Sequence, residues 1–384
     1  MPNINDYVDW RGDLSFKKSP VNDVDIVILS QIVLNDLSHS VPKKGGAALK
    51  DCAEKFFSAK SRRKKPGLII PLTIPLIFKK IADTARFGGL ILSKYVEDID
   101  ESVAVQFSAL TADAPEIKTR FVIYSGTDDT IVGWRENFNL IYKTPTRAQT
   151  EAVKYLENAA KDFYGKIIVL GHSKGGHLAL YSTVNCNAET EKKIQRAVNL
   201  DGPGLPECDG AVAAYLTRQK KILTILPQSS VIGRLFEHGE DFRIIHSVNE
   251  GLFQHDAFSW EVLGTELVGE SGFTADGTGV DNGLRVILDG MDDAEREKFV
   301  EGLFGLFYAT GCSTLTELSL SGKEIFKAYF KADGETKKAL NRTLLKILSN
   351  KYLRRCIFET MRSMKNFTKK DEETLAALAN GKDA

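Results

Sequence analysis

Two hydrophobic rhythms alternate along the middle of the chain. Short apolar runs of strand type recur at Val103 to Leu110, Arg120 to Tyr124, Ile167 to Leu170, Ala197 to Leu200, Lys221 to Leu226 and Phe242 to Val248. Between them lie segments with apolar residues every three or four positions. Thr144 to Tyr164 is the plainest: Ala148, Ala152, Tyr155, Leu156, Ala159 and Phe163 share one helical face. Further helices are predicted from His177 to Tyr181, over Ala211 to Gln219 and over Ser229 to Glu237. Strands alternating with helices predict an α/β fold with a mostly parallel sheet, because each crossover helix buries its apolar stripe against a sheet face.

The flanks follow other patterns. Residues 1 to about 20 read as an irregular arm. VDIVILSQIVLNDL, from Val24, is a buried helix or strand that periodicity alone does not separate. ALKDCAEKFFSAK is helical in pattern and lies between Lys43-Lys44 and Arg62-Arg63-Lys64-Lys65. The very apolar GLIIPLTIPLIFKKIADTARFGGLIL follows, with Pro71 and Pro75 interrupting any continuous helix. It reads as core or as a flap over an apolar pocket, with an interfacial membrane anchor as the alternative. Beyond Leu267 a Gly- and Asp-rich stretch gives way to helical patterning, basic from Lys323 to Lys370. That basic face is either simply solvated or a surface for anionic lipid or another partner. Three regions result: an N-terminal arm and helical flap (1–100), an α/β core (101–266) and a helical C-terminal region (267–384).

Composition narrows the function classes. Basic and acidic residues balance at 51 each, so bulk charge offers nucleic acid no attraction. The five cysteines are scattered, with no C-x-x-C, which fits reduced thiols in a cytoplasmic protein better than a disulfide framework. The N-terminus is polar and acidic, unlike a signal peptide, and no apolar run reaches the length of a membrane span. A soluble cytoplasmic protein is expected.

Candidate chemistry centres on Gly171-His172-Ser173-Lys174-Gly175, a G-x-S-x-G between a buried-type strand and a helix. Such a turn holds a serine exposed at the strand's carboxyl end. Its hydroxyl needs a histidine to take its proton and an acid to orient that histidine. Four histidines follow Ser173: His177, His238, His246 and His255. His177 sits on the helix past the serine, His238 ends a short helix, and His246 lies in a predicted strand. His255 alone falls in a loop beyond the last strand, so it is the expected base. Asp201, in a Gly- and Pro-rich turn at a strand's end, is the expected acid. Asp256 is the runner-up, ahead of Asp241 and Glu237. Oxyanion donors are expected from the Lys174 N–H and from Thr127, through its N–H and hydroxyl, with Asp128 and Asp129 bracing that loop. No cluster has metal-ligand spacing, and the chemistry requires no cofactor.

These segments resemble a known family. FVIYSGTDDTIVGWRENF resembles the "GT…W" oxyanion segment of class 3 lipases, and VLGHSKGGHLA resembles their elbow. DVDIVILSQIVLNDL, QFSAL and QHDAFSW resemble the Mbeg1-like group of bacterial lipase-like proteins in particular. The resemblance spans roughly residues 20 to 262. It implies an α/β-hydrolase fold and hydrolysis of a small-molecule or lipid ester through an acyl-enzyme, with Ser173, His255 and Thr127 at matching positions. One departure stands out: class 3 lipases carry their acid after the later strand, where this chain has Ser229-Ser230. Leu200-Asp201-Gly202-Pro203-Gly204 instead resembles the acid-bearing turn of pancreatic-type lipases. The competing reading is a non-catalytic hydrolase-like scaffold that binds membrane or a protein partner through its basic tail.

Overall fold

The computed structural model describes residues 1–58, 73–205 and 211–360. An eight-stranded sheet organises them, with its strands side by side in chain order. They are β1 (Gly46–Ala48), β2 (Ile91–Asp100), β3 (Val105–Ala114), β4 (Thr119–Tyr124), β5 (Lys166–His172), β6 (Ile194–Leu200), β7 (Ile222–Pro227) and β8 (Asp241–Ile245). β1 to β4 pair antiparallel, and β4 to β8 pair parallel.

Alternation along the strands builds two cores. Phe121, Ile123, Ile168, Leu170, Val198 and Leu200 face one layer, in which the N-terminal helices supply Ile26, Leu29 and Phe78. Their neighbours Val122, Tyr124, Ile167, Val169 and Ala197 face the other, filled by the crossover helices Arg147–Lys161 and Lys174–Asn185. Each central strand is therefore apolar on both sides, which is why it reads as a continuous hydrophobic run. These elements make an α/β-hydrolase fold.

Parallel register decides where function can sit. Tyr124 aligns with Gly171, and His172 with Leu200. β4, β5 and β6 thus end level, and the segments beginning at Ser125, Ser173 and Asp201 emerge together at their carboxyl ends. Ligand sites of open α/β sheets form at that edge.

The N-terminal part differs from the sequence expectation. Its first residues form a helix, Ile4–Arg11, started by a reciprocal Asn3–Asp6 capping box rather than an irregular arm. Asp23–Ile32 is a helix because Asn22 and Asp25 cap it in the same way. Asp25 also forms a fully buried ion pair with Arg86, at 2.5 Å, and accepts from Tyr7 Oη at 2.8 Å. The described part of the apolar segment is core: Ile74, Ile77, Phe78 and Ile81 are buried on the Thr73–Ala82 helix. Arg62 to Lys65 and Pro71 lie outside the described residues. β2 lacks an obvious strand pattern because its second half, from Lys94, is mostly exposed and polar.

Ser229 to Glu237 is not the predicted helix. Its backbone serves the Asp201 turn instead: Gly204 N–H donates to Leu235 O at 2.9 Å, and Leu205 bridges Glu237. A chain whose amides and carbonyls pair outward cannot also close helical turns.

The C-terminal helices include Ala275–Asp289, Asp293–Tyr308, Gly322–Lys331 and Gly334–Ser349. Asp293–Tyr308 packs Val300 and Phe304 onto Ile131 of the Ile131–Asn139 helix. Two backbone bonds clamp the preceding loop: Ile131 N–H to Ser313 O at 2.9 Å, and Leu315 N–H to Asp129 O at 2.8 Å. No helix among the described residues is long and apolar enough to cross a membrane.

Candidate active site

Ser173 follows β5 with φ +58° and ψ −127°, a backbone conformation strained for any residue with a Cβ. Its N–H donates to Leu200 O at 2.8 Å, which ties the turn to β6. Close packing explains the glycines around it. A Cβ on Gly171 would lie 2.2 Å from the Gly175 carbonyl carbon, one on Gly175 2.2 Å from Tyr124 O, and one on Gly176 2.1 Å from Asn199 Oδ1. The sharp turn forms only because three residues lack side chains.

Asp201 follows β6 and is itself in the left-handed region, at φ +47°. Its N–H donates to Ile225 O at 2.9 Å, while Asn199 bonds both the N–H and the carbonyl of Gly202. The carboxylate is 1% exposed, and both its oxygens are used. Oδ2 accepts from His255 Nδ1 at 2.6 Å, and Oδ1 accepts from Ser230 Oγ at 2.5 Å. Ser230 lies three residues beyond the end of β7. The carboxylate after β6 is thus held by a hydroxyl that follows the neighbouring strand β7.

His255 ends a short 3-10 turn, Gly251–His255. His172, the residue before Ser173, braces it twice: their rings stack with centroids 4.5 Å apart, and His172 Nε2–H donates to His255 O at 2.9 Å. Burial, and then the charge of His255, hold the His172 pKa well below its ordinary value, so His172 is a neutral donor. Trp260 donates to Gln254 O at 2.8 Å and fixes the loop from below. Among the described residues no hydrogen bond joins Ser173 to His255. Catalytic contacts are often loose until substrate arrives.

Thr127 lies beside the turn, since a Cβ on neighbouring Gly126 would be 3.5 Å from Ser173 Cβ. Its Oγ1 accepts from Asn137 Nδ2 at 2.5 Å. Asp128 braces the loop as expected, with Oδ1 accepting from Thr130 N–H at 2.9 Å. Lys174 opens the helix, where N–H groups have no intrahelical acceptor.

The Lys174 side chain was not anticipated. It is buried, donates to Gln106 O, and pairs with Glu136 Oε2 at 3.0 Å. Glu136 also accepts from Gln106 N–H at 3.0 Å and Ala148 N–H at 2.9 Å. One carboxylate thus joins β3, the Ile131–Asn139 helix, the Arg147–Lys161 helix and the start of the Ser173 helix.

The remaining candidates lie elsewhere, and all but Asp241 have other partners. His177 is buried between Gln149 Nε2 at 2.8 Å and Gly204 O at 3.0 Å, and burial pushes its pKa down to about 4. His238 pairs with buried Glu240 at 2.7 Å; burial opposes its protonation, but the carboxylate prevails and raises its pKa. His246 pairs with Glu270 at 2.8 Å. Asp256 caps the next turn by accepting from Phe258 N–H at 3.0 Å, and Glu237 pairs with Arg285. Asp241 is exposed at the start of β8. His172 and Ser230 were missed. His172 alone had a signal, an aromatic residue adjoining the serine.

The sheet, the sharp serine turn and the level strand ends define an α/β-hydrolase fold. Residues 81–305, more than half of the chain, match the Mbeg1-like family, and the chain belongs to that family. No curated protein matches it. Among solved structures it is similar to the Rhizomucor miehei lipase propeptide complex, at 17% identity and TM-score 0.32, over 41% of this chain and 57% of that one. It is also similar to Yarrowia lipolytica Lip2 lipase, at 12% identity and TM-score 0.34, over 61% and 81%. The matched part spans little more than half the length of the Rhizomucor lipase.

Proposed function

We propose that the protein is a serine hydrolase that cleaves carboxylic esters. Ser173 Oγ attacks the ester carbonyl while His255 Nε2 takes its proton, and the Thr127 and Lys174 N–H groups stabilise the oxyanion. Asp201 holds His255 in the Nδ1–H tautomer and balances the imidazolium. His255 then protonates the departing alcohol, leaving an acyl-enzyme on Ser173. Water, deprotonated by His255, attacks that ester, and collapse returns the proton to Ser173 and releases the acid. The four free thiols among the described residues, three of them buried, support a reducing compartment such as the cytoplasm.

One observation carries the reading: a buried carboxylate 2.6 Å from a loop histidine, beside a serine held at φ +58°. A panel of p-nitrophenyl esters of rising acyl length tests it. Turnover lost in Ser173→Ala and in His255→Ala, with fold retained, is the expected result. Equal turnover in Ser173→Ala would refute the reading.

A further inference from the structure

The helices Gly322–Lys331 and Gly334–Ser349 expose more apolar surface than their packing requires. Ala328 and Leu340 turn inward with Leu306 of the Asp293–Tyr308 helix. On the outer side Phe326 and Phe330 are 64% and 59% exposed, four residues apart, with rings 4.6 Å from each other. On the second helix Leu344, Leu345 and Leu348 are 51%, 68% and 45% exposed.

The two sets join. Lys337 Nζ donates to Phe330 O at 2.8 Å, and Tyr329 Oη donates to Asn341 Oδ1 at 2.9 Å. Lys337, Asn341, Leu344 and Leu348 recur every three or four residues, so the side of the second helix that carries Leu344 and Leu348 is the side tied to the first helix at Tyr329 and Phe330. Lysines run alongside: Lys323, Lys327 and Lys331 are spaced by four next to the phenylalanines. Over the hairpin, residues 322–349, there are seven Lys and Arg against three Asp and Glu, a charge of 7 − 3 = +4 in a chain of net zero.

An apolar stripe edged with cations is the pattern of a helix that lies in a lipid headgroup layer. A second copy of this chain would set like charge against like, whereas an anionic leaflet attracts each cation. We propose that this helical hairpin docks the protein on an anionic phospholipid bilayer, with Phe326, Phe330 and the three leucines entering the headgroup region. The hairpin lies beyond the family-matched residues 81–305, and the docking does not depend on the hydrolase reading.

Co-sedimentation of the full chain with phosphatidylcholine vesicles, with and without phosphatidylserine, tests the proposal. Binding is expected only to the mixed vesicles, and falls in high salt. Charge reversal at Lys323, Lys327 and Lys331 to Glu weakens it about 100-fold. Phe326→Ser with Phe330→Ser weakens it about tenfold, through lost apolar burial. Circular dichroism melts establish that these surface variants fold. Ser173→Ala binds as the parent does, so loss of esterase activity and loss of docking are separate results. Equal binding to neutral vesicles, no binding at all, or a phenylalanine-dependent dimer in place of vesicle binding would each overturn the proposal.

Discussion

Two buried carboxylates meet the Ser173 turn, and their partners set them apart. Glu136 and the Lys174 side chain are 2% and 3% exposed, 3.0 Å apart, and every oxygen of Glu136 is engaged by a backbone N–H or the ammonium. Asp201 is 1% exposed, but its partner His255 is 21% exposed at 2.6 Å. A pair with both members out of water is a fixed charge arrangement, which positions the elements carrying it. A pair whose base reaches solvent and can change protonation can do acid–base work. Geometry alone makes both look like ion pairs; access of the cationic partner to water is what sets the proposed catalytic pair apart from the fixed one.

The largest contrast should appear in activity at Asp201. Asp201→Asn keeps the shape but gives His255 the wrong tautomer, so kcat should fall about 10⁴-fold. Urea unfolding should show the fold intact. A tenfold loss or less would remove Asp201 from the proposed mechanism.

Glu136→Gln should do the reverse. It leaves the Lys174 ammonium buried without a counter-charge, at a cost of about 3–5 kcal/mol in stability. The urea midpoint should drop far more than for Asp201→Asn. A similar, small change in both variants would erase the distinction between the pairs.

Acid sensitivity sharpens the comparison through a histidine assigned no chemistry. His177 has its folded pKa pushed down to about 4 from 6.5, so between those values the unfolded chain binds the extra proton. Stability therefore falls as pH drops from about 6.5 towards 4, by about 3 kcal/mol in all. His177→Gln, measured by thermal melts across that window, should flatten the slope.

The smallest effect belongs to Ser230. Its hydroxyl bond to a carboxylate is worth about 1.5–3 kcal/mol, so Ser230→Ala should lower kcat about tenfold to a hundredfold and leave KM nearly unchanged. Moving the carboxylate to the neighbouring strand, Asp201→Ser with Ser230→Asp, should recover part of the activity lost in Asp201→Ser alone. No recovery would mean that the Asp201 backbone turn matters as well as its charge.

Much of the sheet was legible because strands β4 to β7 are buried on both faces and read as apolar runs. The serine turn was legible because close backbone approach admits only glycine at Gly171, Gly175 and Gly176. Position along the chain also singled out Asp201 and His255, which do meet. Partnerships between distant charges were not legible: nothing near Lys174 indicates that its side chain will find Glu136, 38 residues away. Stacking of His172 on His255 likewise exists only once a loop 83 residues downstream folds back. Ser229 to Glu237 misled for a related reason, since its helical spacing is overridden by bonds to the Asp201 turn.

The central claim is that Ser173 is a base-activated nucleophile. A fluorophosphonate probe reacts covalently with such a serine, and intact-mass spectrometry reads the adduct. One adduct per chain, mapped to Ser173, absent in Ser173→Ala and strongly slowed in His255→Ala, is the predicted result. A folded protein that takes no label, or one labelled equally well after Ser173→Ala, would contradict it.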